Sequence, residues 1–125
     1  MIQLIIIGFG GFIGSILRYL LGSGVQKLMP QAYFPYGTLA VNLLGCLAIG
    51  YLGARFDTRD VLSQEIRLFL IVGLLGGFTT FSSFGYEALH LMKNDHALAA
   101  VAYALLSVIV GVFAAWGGYK LGLRA

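Results

Sequence analysis

Hydroxyl and phenyl side chains crowd together in one apolar stretch of this chain, directly after two adjacent glycines. The group consists of Thr79, Thr80, Ser82, Ser83, Phe81 and Phe84. A hydroxyl can donate a hydrogen bond to an anion, and the edge of a phenyl ring is positive. Phe81 and Phe84 are three residues apart, so they share one face of a helix. Such a cluster could replace part of the hydration shell of a small, hard anion, although packing is the commonest fate of phenylalanine.

The adjacent glycines, Gly76 and Gly77, predict a break in the backbone of this stretch, because glycine weakens a helix. Apolar runs at 68–75 and 88–92 flank the break and place it at membrane depth. There an interrupted backbone survives only against protein or a water-filled cavity, and such breaks form ion sites. Carbonyl oxygens from two copies of the break would suit a dehydrated sodium ion.

Two isolated polar residues, Arg18 and Asn42, lie in other apolar stretches. Arg18 is near the end of the first, where it could snorkel to lipid headgroups or attract anions to the mouth of a pore. Asn42 shares a face with Thr38 and Gly45 of the second. It could link helices by hydrogen bonds or donate an N–H to a passing anion. The sequence leaves both pairs of alternatives open.

The last apolar stretch carries a thin polar line formed by Tyr103, Ser107 and Gly111 at helical spacing. Its hydroxyls could align with those of the third stretch, although tyrosine near a membrane end is also typical of an aromatic belt. Glu87 is one turn past Phe84. It could face the same path or lie near the headgroups.

Composition places the chain in a membrane, because 59% of its residues are hydrophobic and 10% are charged, against about 25% charged in soluble domains. Four apolar stretches approach the ~20 residues of a span, at about 2–22, 36–54, 66–92 and 97–122. We therefore predict an all-α membrane protein with one domain, 1–125, four transmembrane helices and a third helix broken near 75–80. The first stretch lacks the basic segment of a signal peptide, and no dense basic patch supports nucleic-acid binding.

Charges at the ends of these stretches give little preference for one orientation in the membrane. One side holds five basic residues, and the other holds Lys27, Lys93 and, if it snorkels, Arg18; the five are Arg55, Arg59, Arg67, Lys120 and Arg124. Because basic residues favour the cytoplasmic side, a small bias permits insertion both ways. Four helices also enclose little interior. We therefore predict an antiparallel homodimer whose two breaks face each other.

Three motifs resemble the Fluc (CrcB) family of fluoride ion channels. They are Gly11-xx-Gly14-xxx-Arg18-Tyr19, Gly37-Thr38-Leu39-Ala40-Val41-Asn42-xx-Gly45 and Gly73-xx-Gly76-Gly77-Phe78-Thr79-Thr80-Phe81-Ser82-Ser83-Phe84-xx-Glu87. The motifs cover three of the four predicted helices, and the chain has the family's length and span count. The resemblance implies a dual-topology homodimer with two fluoride pores that exports fluoride passively across the plasma (inner) membrane of a prokaryote.

The resemblance also implies roles for single residues. Phe81 and Phe84 correspond to the pore phenylalanines of the family, Asn42 to its pore asparagine and Arg18 to its vestibule arginine. A polar track along the pore is implied for the hydroxyl residues Thr80, Ser82, Ser83, Tyr103 and Ser107. Ser83 stands where threonine is usual and keeps the hydroxyl.

A structural sodium ion is a further implication of the resemblance. In the family this ion is bound at the dimer centre by main-chain carbonyls of the helix break. The corresponding residues of this chain are Gly76 and Thr79.

The main alternative function is a small multidrug-type exporter, which also has four spans and dual topology. Such an antiporter needs a membrane-embedded carboxylate early in the chain. The first predicted span has none, and the only acidic residue within any predicted span is Glu87, in the third. A non-transporting assembly subunit would explain the glycines but not the hydroxyl and phenyl cluster. No nucleophile, base and orienting group come together, so an enzyme is not expected.

Overall fold

The described part of the chain forms four helical spans that are long and apolar enough to cross a membrane, and the third is interrupted. The computed structural model describes residues 1–58 and 63–125. Helix α1 covers Ile2–Lys27, and α2 covers Tyr36–Thr58. The third span contains α3 (Gln64–Arg67), a π-helix (Leu68–Leu75), α4 (Gly76–Phe78) and α5 (Phe81–Lys93), and the fourth is α6 (Ala97–Arg124). The predicted all-α membrane architecture with a broken third helix is confirmed.

Two helices continue past the apolar stretches that predicted them. Helix α1 ends at Lys27 instead of near residue 22, and α2 ends at Thr58 instead of near residue 54. A helix satisfies its own backbone hydrogen bonds, so it can extend into the headgroup region after its apolar side chains end. Arg59, which contributed to the charge count, lies outside the described residues.

The first half of the third span is a π-helix over Leu68–Leu75, which the sequence did not predict. In a π-helix each N–H bonds to the carbonyl five residues earlier, as the N–H of Gly76 does with Ile71. An apolar run has no feature that separates this geometry from an α-helix. π-Helical turns are rare and frequently lie at functional sites, and this segment leads directly towards the break.

Glycines bring α1 into backbone contact with the third span. A methyl group on Gly10 would lie 2.7 Å from the carbonyl oxygen of Phe69 and 3.0 Å from the Cα of Gly73. A methyl group on Gly77 would lie 2.5 Å from the carbonyl oxygen of Gly11. Because lipid removes the hydrophobic drive between helices, close packing of small residues is a main source of their association.

Helix α2 packs against α6 in the same way. A side chain at Gly50 would collide with the backbone of Ala115, and one at Gly118 would collide with the backbone of Leu47. Tyr103 of α6 is fully buried between the spans. The two close helix pairs, α1 with the third span and α2 with α6, therefore fix the positions of the polar groups described below.

We expect Gly10→Ala to destabilise the fold by about 1–3 kcal/mol, because its methyl group meets backbone atoms that cannot turn aside. Gly24→Ala, on the same helix, is the control, since nothing lies within 4 Å of its added methyl group. Thermal unfolding in detergent measures the difference. Equal melting temperatures for the two variants would contradict the close packing of α1 on the third span.

Candidate functional site

The break in the third span consists of Thr79 and Thr80, both of which have extended backbone. Their φ and ψ angles are −86° and 158° for Thr79 and −152° and 121° for Thr80. Thr79 ends the first half, because its N–H and its hydroxyl both bond to the carbonyl of Leu75 at 2.9 Å. Thr80 begins α5 as its N-cap, because its hydroxyl accepts the N–H of Ser83 at 3.2 Å. The two threonines thus cap the two half-helices.

Asn42 of α2 binds the exposed backbone of the break. Its Oδ1 accepts the N–H of Thr80 at 2.9 Å, and its Nδ2 donates to the carbonyl oxygen of the same residue at 3.0 Å. Two backbone groups that lost their helical partners are satisfied by one side chain. Asn42 therefore links two helices by hydrogen bonds. Its second Nδ2 hydrogen is not used by this pair of bonds.

Arg18 of α1 also reaches the break. Its Nε donates to the carbonyl oxygen of Gly77 at 3.1 Å. The Nε of this side chain is therefore bound at the break, although Arg18 itself is only half-buried. Arg18 and Asn42 approach the break from different helices, so the broken backbone is held on two sides.

A groove of about 420 Å³ opens beside the break. It contains five of the eight residues predicted to form the pore, namely Asn42, Thr80, Phe81, Phe84 and Ser107, together with Gly76 and Thr79. Ser82, Ser83 and Tyr103 do not line it. The rest of its wall is largely apolar, with Gly45, Cys46, Ile49, Ile71, Leu75 and Val108.

The rings of Phe81, Phe84 and Tyr103 form a line of tilted contacts, and the first two of them line the groove. The ring centroids of Phe81 and Phe84 are 5.5 Å apart, and those of Phe84 and Tyr103 are 4.9 Å apart with planes inclined by 58°. Tyr103 is fully buried, whereas 83% of the Phe81 side chain is exposed. The aromatic line therefore runs from the interior to the open surface of the groove.

Ser107 presents the one buried side-chain oxygen or nitrogen atom without a hydrogen-bond partner in residues 1–58 and 63–125. Its Oγ has no hydrogen-bond partner there, and the residue lines the groove next to Phe84. A buried hydroxyl that is left unsatisfied costs about 1–3 kcal/mol.

The structure adds Glu87 and Thr38 to the site, and neither was among the predicted pore residues. Glu87 Oε1 accepts the hydroxyl of Thr38 at 2.7 Å, and Oε2 accepts the hydroxyl of Tyr103 at 2.8 Å. The three residues come from α5, α2 and α6. The available sequence signals were the place of Glu87 one turn after Phe84 and the common face of Thr38 and Asn42.

The remaining predicted residues have local roles. Ser82 lies beside Thr80, with 3.3 Å between their hydroxyl oxygens. Ser83 bonds to Thr80 through its backbone N–H. In a continuous helix the carbonyl oxygen of Gly76 would accept the N–H of Thr80. Here that N–H bonds to Asn42 instead.

These features define a class of helical membrane protein. It has four spans, of which the third is broken, and a groove of aromatic and hydroxyl groups. Residues 5–119 match the family model described as CrcB-like protein, Camphor Resistance (CrcB). The chain belongs to this family, which confirms the resemblance inferred from its motifs.

Curated relatives resemble nearly the whole chain. A protein of Chloroflexus aurantiacus is 45% identical over 96% of this chain and 94% of its own length. A protein of Thermus thermophilus is 48% identical over 94% of this chain and 93% of its own. A protein of Stutzerimonas stutzeri is 48% identical over 90% of each. All three are named fluoride-specific ion channel FluC.

We expect Asn42→Leu to lower the free energy of unfolding by about 1–3 kcal/mol, because the N–H and carbonyl of Thr80 lose their partner. Asn94→Leu is the control, since Asn94 is exposed and its side chain bonds to the His90 carbonyl one turn back. Thermal unfolding and size-exclusion elution in detergent measure both variants. Equal stability of the two would show that the Asn42 pair does not hold the break.

Proposed function

We propose that this protein is a fluoride-selective channel through which fluoride leaves the cytoplasm passively, so that intracellular fluoride falls. The observation that carries the proposal is the groove that joins the rings of Phe81 and Phe84 to the unpartnered hydroxyl of Ser107. The relatives named fluoride-specific ion channel support the same ion. A channel suffices because the membrane potential drives an anion out of the cell.

The order of groups along α5 supports movement of an ion beside this helix. Thr80, Phe84 and Glu87 follow one another at about one helical turn. Hydroxyl hydrogens and ring edges both present positive charge to an anion. An anion that moves along α5 would therefore meet the hydroxyl of Thr80 and the ring edge of Phe84, and then the hydroxyls of Thr38 and Tyr103 that bind Glu87.

The open groove supports an antiparallel homodimer as the working unit. Phe81 is 83% exposed, and the break lies at the surface of one chain. A path for ions must be closed to lipid, and a second copy related by a two-fold axis in the membrane plane would close it. Both breaks would then meet at the bilayer centre. We place this dimer in the plasma (inner) membrane of a prokaryote, with lipid around it.

A structural sodium ion between the two copies fits the donor chemistry of the break. Carbonyl oxygens are hard ligands for small cations. The carbonyl of Gly76 has lost the N–H of Thr80 to Asn42, and Thr79 is extended, so both carbonyls are free of helical pairing. We therefore assign them as sodium ligands. The bound ion would neutralise the carbonyl dipoles that converge at the two-fold axis.

The multidrug-type exporter has less support. Its lipophilic cations would require a carboxylate that is free to exchange protons. Both carboxylate oxygens of Glu87 are instead occupied by hydroxyl donors from Thr38 and Tyr103. The relatives are named channels, which agrees with a passive pore.

Purified protein in liposomes should release fluoride rapidly and chloride negligibly, without ATP or a proton gradient. The physical reason is that the groove offers donors at short range to a small anion and an apolar wall to a larger one. Ion-selective electrodes measure both effluxes, with protein-free liposomes as the control. Equal fluoride and chloride efflux would contradict selectivity, and the absence of fluoride efflux would contradict the function.

Phe81→Ile and Phe84→Ile each keep apolar bulk and remove the positive ring edge. If the rings solvate the ion, each change should lower fluoride flux about tenfold or more, which corresponds to a loss of about 1.4 kcal/mol. Phe113→Ile is the control, because Phe113 is 65% exposed on α6 and lies outside the groove. Flux is compared with size-exclusion elution. Unchanged flux in both pore variants would place the path elsewhere.

A further inference from the structure

A second, smaller cavity lies beyond the groove, on the far side of Glu87. It has a volume of about 130 Å³ and is lined by Tyr33, Pro35, Tyr86, Glu87, His90 and Leu91. We call it the outer chamber. It shares no lining residue with the groove. Phe84 lines the groove and Glu87, one turn later on α5, lines the outer chamber, so the two cavities follow one another along this helix.

Glu87, Thr38 and Tyr103, here called the Glu87 cluster, lie between the two cavities along α5. Tyr103 packs against Phe84 on the groove side, at 4.9 Å between ring centroids, and donates its hydroxyl to Glu87 at 2.8 Å. Thr38 donates to the other carboxylate oxygen at 2.7 Å. An ion that passes Phe84 along α5 therefore reaches these hydroxyls next, and the outer chamber lies directly behind them.

The wall of the outer chamber is held in place by specific contacts. The ring of Tyr33 is stacked on His96, with 3.9 Å between centroids and 5° between planes. The side chain of Gln26 binds the same loop, because its Nε2 donates to the carbonyl of Phe34 at 3.2 Å and its Oε1 accepts the N–H of Gly37 at 3.1 Å. A loop fixed in this way forms a defined opening at the end of the spans.

The charge inside the outer chamber is set by two residues of α5. Glu87 would repel an anion, whereas His90, three residues later on the same helix and in the same wall, offers a ring N–H donor to an anion. Tyr33 and Tyr86 are the other polar side chains of the wall. Charged or titratable residues that follow shortly after in the chain are Lys93, Asp95 and His96, of which His96 is stacked on Tyr33.

We propose that the outer chamber is the mouth of the fluoride path and that His90 sets the rate at which anions pass between bulk water and the Glu87 cluster. This inference rests on the proposed function. It assigns to His90, which no motif singled out, the task of offsetting the carboxylate at the mouth.

Fixed-charge substitutions at His90 test the proposal. Fluoride efflux from liposomes is compared for His90→Lys, His90→Gln and His90→Glu, and the rate should fall in that order. A unit charge roughly 7 Å from an ion in water changes its local concentration about threefold, so the first and last variants should differ by about tenfold. Lys93→Gln and Lys93→Glu are the controls, because Lys93 is exposed at the same helix end and does not line the chamber. The assay is run at an ionic strength of about 0.01 M, where the Debye length of about 30 Å leaves a charge roughly 7 Å away largely unscreened.

Each outcome decides a different point. Absence of fluoride efflux in the unsubstituted protein would overturn the proposed function itself. Normal efflux with equal rates in the His90 series would overturn the mouth alone. A Lys93 effect as large as the His90 effect would assign both to general surface charge and would also overturn it. If His90→Glu does not elute as a folded protein, the ratio of His90→Lys to His90→Gln, expected to be about threefold, decides the matter.

Discussion

The pairing of Asn42 with the backbone of Thr80 is the interaction on which the rest of the site depends. In a bilayer an open backbone N–H or carbonyl has no water to bind, so a broken helix needs partners from its own protein. Asn42 supplies a donor and an acceptor to one residue, at 3.0 and 2.9 Å. With these groups satisfied, Thr80 can cap α5, and the carbonyls of Gly76 and Thr79 are released from helical pairing. One amide thus makes the break stable at membrane depth.

The glycine contacts explain why the break can be reached at all. Gly10, Gly14 and Gly73 remove the side chains that would keep α1 away from the third span. That close approach lets Arg18 extend to the carbonyl of Gly77, at 3.1 Å. On the other side, Gly45 of α2 leaves room for the methyl group of Thr79. The small residues therefore act on the site indirectly, by setting the helix spacing at which these bonds form.

The sequence predicted the architecture well because both of its signals are local. Hydropathy marks four spans, and the pair Gly76-Gly77 marks a break within a few residues. The contacts of the site were harder to predict from the sequence, because they depend on which helices pack against each other. The sequence left Asn42 and Arg18 with two interpretations each. A position in the chain does not show that Asn42 binds Thr80 or that Arg18 binds Gly77. The π-helix was missed since its apolar run matches an α-helix equally well.

A carboxylate beside an anion path has a physical use when it holds the donors that the ion needs. Thr38 and Tyr103 each have one hydroxyl hydrogen, and both hydrogens are directed at Glu87. In the proposed path, an anion that arrives past Phe84 would compete with Glu87 for them, so each bond it gains would be one that the carboxylate loses. Conduction requires an ion to bind well enough to enter and weakly enough to leave. Competition for two shared hydrogens would meet both conditions, because the donors are in place before the ion arrives and would return to Glu87 when it departs.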